Sequence, residues 1–154
     1  MLKDYTIKII LKPCGMNGNK KFIDTNLIIY FLELNEEFYP QVNSIFKKAE
    51  TGEIKLFTSS LSYLEVLVPV IKTNNIELRS KYNYLFKGFE GLKVIDIDME
   101  VAYIGAVIKA KYGIRTPDAL QISCAIKAEC DEFFTADARL KTIKEIKVTI
   151  IRPE

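Results

Sequence analysis

Two rhythms of apolar and polar positions alternate along this chain. Short apolar runs bounded by turn formers, at residues 22–23, 54–58, 92–97, 132–135 and 147–151, predict strands. Between them lie stretches of helical period. The first follows Thr25-Asn26, which can cap it, and runs to residue 34. The second spans 38–50 and is stopped by Gly52. A third starts at a cap supplied by Ser59, Ser60 or Ser62 and runs to about residue 73, with Pro69 as an expected kink. Others are expected at 77–86 and, capped by Asp98 and stopped by Gly113, at 99–112. Thr116-Pro117 opens one to about residue 129, with Thr116 as cap and proline in the first turn. A short helix fits 138–143.

Strands alternate with helices, often two to a crossover. That order predicts an α/β class with a mainly parallel central sheet covered by helices on both faces. No internal repeat or linker interrupts it. Residues 21–154 read as one domain, and 1–20 as an N-terminal extension. Within the extension, 5–12 can form an extra strand, and Met16 is an alternative starting residue.

Composition narrows the chemistry. The 154 residues are 49% apolar and 27% charged, enough for a sizeable core. There is no histidine, which excludes Ser-His-Asp and Cys-His nucleophiles, an imidazole base and His-ligated zinc. Carboxylates, hydroxyls, amines and a hard metal ion remain as tools. Cys14, Cys124 and Cys130 are scattered, form no Cys-x-x-Cys pair and suit a reducing compartment. Gly15 and Gly18 lack the Lys-Ser/Thr ending of a phosphate loop. The longest apolar stretches, at 27–32 and 66–71, fall far short of the ~20 residues of a membrane span. A cytoplasmic location is the expectation. Net charge is +2, but residues 1–21 hold five lysines against one aspartate, so the rest of the chain is slightly acidic. A polyanion would have to be held by local patches or bound cations.

Open parallel sheets bind ligands beyond the carboxyl ends of their strands, and four acids stand at such places. Asp24 follows Phe22-Ile23, and Asp137 follows Phe133-Phe134-Thr135. Asp118 lies in the first turn after Thr116-Pro117, and Glu65 lies in the helix after strand 54–58. Glu65 has Leu61, Val68 and Pro69 at i−4, i+3 and i+4, which predicts an apolar, core-facing stripe. Asp118 heads another stripe with Ile122 and Ala125. Acids on such stripes need a metal, a basic partner or a cavity. Each also has a plain structural reading. Asp118 suits the helix dipole, Asp137 can cap residues 138–143, Asp24 can end its strand, and Glu65 can lie on a solvated helix edge.

The series Phe22-Ile23-Asp24-Thr25-Asn26, Tyr63-Leu64-Glu65-Val66, Thr116-Pro117-Asp118-Ala119-Leu120 and Thr135-Ala136-Asp137 resembles the PIN-domain signature. The resemblance is strongest to the VapC-like ribonuclease toxins of toxin–antitoxin pairs, and it covers about residues 21–151. It implies a three-layer fold with Asp24, Glu65, Asp118 and Asp137 as an acidic pocket for Mg²⁺ or Mn²⁺. It also implies that Thr135 supports the site through its hydroxyl and that Asn26 orients the first acid. The implied activity is metal-dependent hydrolysis of RNA to a 5′-phosphate and a 3′-hydroxyl. Converged carboxylates with all-oxygen donors suit such hard cations on chemical grounds as well.

Two basic runs flank the acidic motifs. Lys109, Lys111 and Arg115 precede Asp118, while Arg139, Lys141, Lys144 and Lys147 follow Asp137. Arg115 and Arg139 are the expected RNA contacts, with plain solvated cations as the alternative. The resemblance further implies a homodimer and an antitoxin partner. Apolar residues at 27–32, with Tyr82, Tyr84, Leu85, Phe86 and Phe89, are candidate surfaces for that partner or core. Three rivals stay open: a PIN nuclease of RNA processing, a catalytically silent PIN-like binding module, and a phosphoryl-acceptor domain. The last wants adjacent acids at its first strand end, where Asp24 stands alone before Thr25.

Overall fold

Side-chain alternation on five short strands divides the apolar residues between two cores. The computed structural model describes residues 19–154. The expected strand at 5–12, Cys14 and the alternative start at Met16 lie outside them. The strands are β1 (Lys20–Ile23), β2 (Lys55–Ser59), β3 (Leu92–Ile95), β4 (Glu132–Thr135) and β5 (Lys147–Ile150). They form one sheet in the order β3-β2-β1-β4-β5, and every pairing is parallel.

The helices are α1 (Thr25–Leu32), α2 (Tyr39–Glu50), α3 (Ser60–Lys72), α4 (Ile76–Lys87), α5 (Met99–Tyr112) and α6 (Thr116–Lys127). Phe22, Phe57 and Phe133 point to one face of the sheet and pack with Val101, Ile104 and Ile108 of α5 and Ile122 of α6. Their chain neighbours Ile23 and Leu56 point to the other face, against α1, α2, α3 and α4. Both faces are therefore covered, as a parallel sheet requires. Burying each such side chain contributes roughly 1.5–3 kcal/mol.

Local chemistry sets the helix ends, with some shifts from expectation. Asp98 caps α5 by accepting from the Val101 N–H at 3.0 Å, and Gly113 ends it in the left-handed region at φ 66°. Ser59, the last residue of β2, caps α3. Asp24, rather than Thr25-Asn26, is the N-cap of α1, and Arg115, rather than Thr116, precedes the first turn of α6. α3 runs through Pro69 to Lys72, although the proline ring denies the Glu65 carbonyl its helical N–H donor. The short helix expected at 138–143 is a 3₁₀ helix, Ala138–Thr142. Cys124 and Cys130 are buried in the core. Among the described residues, no helix is long and apolar enough to cross a membrane.

Candidate active site

The chain adds β2 and β3 on one side of β1 and then crosses back to add β4 and β5 on the other, so the order of strands reverses at β1. A crevice outside the carboxyl ends of such strands is where open α/β sheets bind ligands. Asp24 leaves the end of β1 and is 9% exposed. Its backbone N–H donates to the Phe134 carbonyl of β4 at 3.0 Å, which pins it to the neighbouring strand. One carboxylate oxygen accepts from the Thr25 N–H at 2.8 Å. The other accepts from the Thr135 hydroxyl at 2.7 Å. Thr135 in turn accepts from the Asp137 N–H at 3.0 Å. This one buried hydroxyl thus ties the ends of β1 and β4 together.

Burial pushes the Asp24 carboxyl up to about 6, against the hydrogen bonds from Thr135 and Thr25. The carboxylates of Asp118 and Glu65 push the same way, so all three acids share one electrostatic neighbourhood. Asp137 is joined to that neighbourhood through arginines. Arg139 binds it with Nε at 2.9 Å from Oδ1 and Nη2 at 2.5 Å from Oδ2. This pairing holds the Asp137 carboxyl below the usual range, against its partial burial. Arg115 Nε lies 3.1 Å from Asp118 Oδ2. Each arginine also acts across the pair, Arg115 on Asp137 and Arg139 on Asp118.

These contacts qualify the expected site. Among the described residues, no group of three or more His, Cys, Asp or Glu side chains is arranged to hold a metal ion. Asp118 and Asp137 instead face guanidinium groups, which supply the positive charge that clustered carboxylates require. The donor set still suits a hard cation, because it is all oxygen and its buried member has a raised pKa. Asn26 does not orient Asp24 by a hydrogen bond. Its own Oδ1 is buried with no partner among the described residues.

Glu65 departs from the core-facing stripe read from its spacing. Val66 and Val70 face the core, whereas Val68 and Pro69 are exposed, as are Leu64 and Ile71. The helical period correctly groups residues on a face. On a helix this apolar all round, it does not say which face turns inward. Asp118 does head a buried stripe, with Ile122 and Ala125 both fully buried. The plain readings of Asp118 and Asp137 hold as well, since Asp118 lies in the first turn of α6 and Asp137 caps the 3₁₀ turn.

The sequence reading overlooked a buried polar network behind the acids. The Thr25 hydroxyl donates to Glu65 Oε2 at 2.5 Å and lies 2.8 Å from Ser62 Oγ. Gln121, 2% exposed, reaches Thr25, Ser62 and Ser59. The Thr58 hydroxyl lies 3.1 Å from both Ser62 Oγ and the Ile23 carbonyl, with one proton to give to either. One signal was available: Gln121 stands three residues after Asp118 in the mainly apolar stretch 119–126. Thr58 read only as the end of a strand, and Ser59 and Ser62 only as candidate helix caps.

The basic runs are largely engaged within the protein. Lys109 donates to the Ile114 carbonyl, Lys111 pairs with Glu145, and Lys147 pairs with Glu132.

Known proteins place this architecture. A structure of VapBC2 from Rickettsia felis bound to a DNA fragment from its promoter aligns over 85% of this chain and 98% of that one. Its TM-score is 0.68 at 18% identity. A toxin–antitoxin complex from Klebsiella pneumoniae aligns over 84% and 95%, with TM-score 0.65 and 16% identity. FitAcB from Neisseria gonorrhoeae aligns over 83% and 95%, with TM-score 0.63 and 18% identity. At these identities the likeness is one of fold. No curated protein sequence matches the chain significantly. A family profile described as the PIN domain matches residues 21–146. That span runs from β1 past all four acids to the start of β5, and by it the chain belongs to the PIN-domain family.

Proposed function

We propose that this protein is a metal-dependent endoribonuclease and the toxin of a type II toxin–antitoxin pair. The observation that carries the reading is the buried Asp24 carboxylate, charged at neutral pH only against its burial, with Glu65 and Asp118 close enough to raise it further. Such a site calls for a cation. Asp24, Glu65, Asp118 and Asp137 are the residues that would hold Mg²⁺ or Mn²⁺. The ion would polarise a phosphodiester oxygen and make a water nucleophilic. Thr135 and Thr25 orient the acids. Arg115 and Arg139, both mostly exposed beside Asp118 and Asp137, are the side chains that would contact RNA phosphates.

Support for an antitoxin partner comes from the similar structures, several of which are toxin–antitoxin complexes. It also comes from a groove of about 890 Å³ between α1, α2 and α4. Its floor holds Phe31, Phe46, Leu85 and Phe89, and its rim holds Lys47, Glu50, Glu77 and Lys81. Tyr84 stands beside it at 68% exposure. Tyr82 and Phe86 are core residues outside the groove, so the partner surface is narrower than the sequence suggested. For a homodimer, the exposed stripe Leu64, Val68 and Ile71 on α3 supplies an apolar face.

The direct test is cleavage of total RNA with Mg²⁺ or Mn²⁺, an EDTA control and an Asp118→Asn variant. Discrete cuts lost in both controls are expected. A second reading, a silent binding module, is favoured by the arginines seated on Asp118 and Asp137. No cleavage together with no metal-induced rise in Tm would select it.

A further inference from the structure

We propose that Gln121 is a positioning residue for the Glu65 carboxylate, acting through the hydroxyl of Thr25. The inference rests on the metal-site reading above and concerns how one ligand is aimed.

The hydrogen-bond directions are determined by what each group can do. An ionised carboxylate only accepts, so the 2.5 Å contact between Thr25 Oγ1 and Glu65 Oε2 uses the single hydroxyl proton of Thr25. Thr25 Oγ1 can then only accept, from the Ser62 hydroxyl at 2.8 Å and from Gln121, whose amide nitrogen must be the atom that faces it, at 2.9 Å. The second amide proton goes to Ser62 Oγ at 2.8 Å. The amide oxygen is left to accept from Ser59 Oγ at 2.6 Å. Ser59 Oγ in turn accepts from the Ser62 N–H at 3.2 Å. Flipping the amide would put an acceptor against Thr25 and draw its proton away from Glu65.

Gln121 therefore selects which way the Thr25 hydroxyl points. It does so from a rigid place, 2% exposed on α6, one turn beyond Asp118, and bonded to residues of α1, β2 and α3. Glu65 lies between the buried Val66 and the exposed Leu64 and Val68 on its helix, and Thr25 is the side chain that holds its carboxylate. Groups that orient metal ligands from behind typically cost 10–100-fold in metal affinity when removed.

The test is a Mn²⁺ titration of the full chain by calorimetry, with Tm measured in parallel. Gln121→Met, which keeps the volume, is expected to weaken Mn²⁺ binding about tenfold. Thr25→Val should do the same, and the double variant should be no weaker than either single one. Thr25→Ser keeps the hydroxyl and should retain wild-type affinity. Gln121→Glu is the sharpest arm. It adds a carboxylate near the site, so charge counting predicts tighter binding. An acceptor facing Thr25 takes the proton from Glu65, so positioning predicts weaker binding. It also serves if Gln121→Met fails to fold. A Gln121→Met protein with lowered Tm but unchanged Mn²⁺ affinity would overturn the inference, as would additive losses in the double variant or tighter binding by Gln121→Glu. A wild-type chain that takes up no Mn²⁺ would overturn the metal reading itself, and this inference with it.

Discussion

Glu132 offers a measurable check on the parallel register at the end of the sheet remote from the acids. The register places Lys21 of β1 and Lys147 of β5 on either side of Glu132 in β4. Lys21 Nζ lies 2.9 Å from one carboxylate oxygen and Lys147 Nζ 3.0 Å from the other, while Thr149 also donates to it. Burial works to raise the Glu132 carboxyl, but these hydrogen bonds outweigh it and hold it at about 2. The ordinary value is 4.5, and a gap of that size corresponds to roughly 3 kcal/mol by linkage. Lys147 is 71% exposed, so solvent screening reduces the effect to about 1–2 kcal/mol. Because the folded pKa is depressed, this stability is fully present above about pH 4.5 and is lost as pH falls toward 2. Glu132→Gln should therefore lower Tm by roughly 3–6 °C at pH 7 for a chain of this size. The deficit should shrink through pH 4 and nearly vanish near pH 2. Urea denaturation of both proteins across that range measures it. A deficit that stays constant with pH would mean that packing, not charge, is what the substitution removed. No deficit at pH 7 would refute the clamp.

Other substitutions test other parts of the fold. Asp24→Asn removes a carboxylate whose folded pKa is raised, so in metal-free buffer the variant should be more stable than wild type above about pH 6. The gap should close as pH falls toward 4, read by thermal melts in EDTA. Tyr82→Phe loses the hydrogen bond from the buried phenol to Glu33 at 2.9 Å, which ties α4 to α1. A cost of about 1.5–3 kcal/mol in urea melts is expected for a bond to a charged acceptor. At Gly105 an added Cβ would stand 3.3 Å from Ser123 Oγ and 3.4 Å from Leu120 Cδ2, where α5 meets α6. Gly105→Leu should therefore destabilise by about 1–3 kcal/mol, measured the same way. Gly113→Ala should cost about 1 kcal/mol, because alanine is strained at φ 66°.

Element type and order were legible in the chain itself, because periodicity and capping are local. Asp98 and Gly113 bracket α5 as their chemistry demands, and the alternation of strands with helices already required a covered parallel sheet. Asp24, Asp118 and Asp137 stood out for the same reason, each lying beside the end of a strand or the start of a helix, and Glu65 stood out as an acid among apolar helix neighbours. Only the tertiary structure decided the strand order β3-β2-β1-β4-β5, and with it the neighbours of β1. Parallel pairing joins residues about a hundred positions apart, as in Lys21 with Glu132, and no local pattern encodes that register. The outward turn of Val68 and Pro69 beside Glu65 was equally hidden, since helical spacing groups residues without ranking two apolar faces. So was the role of Gln121. Its chain neighbours are mainly apolar, and the hydroxyls that give its amide a direction come from three other elements, brought to it only when the sheet and its helices close together.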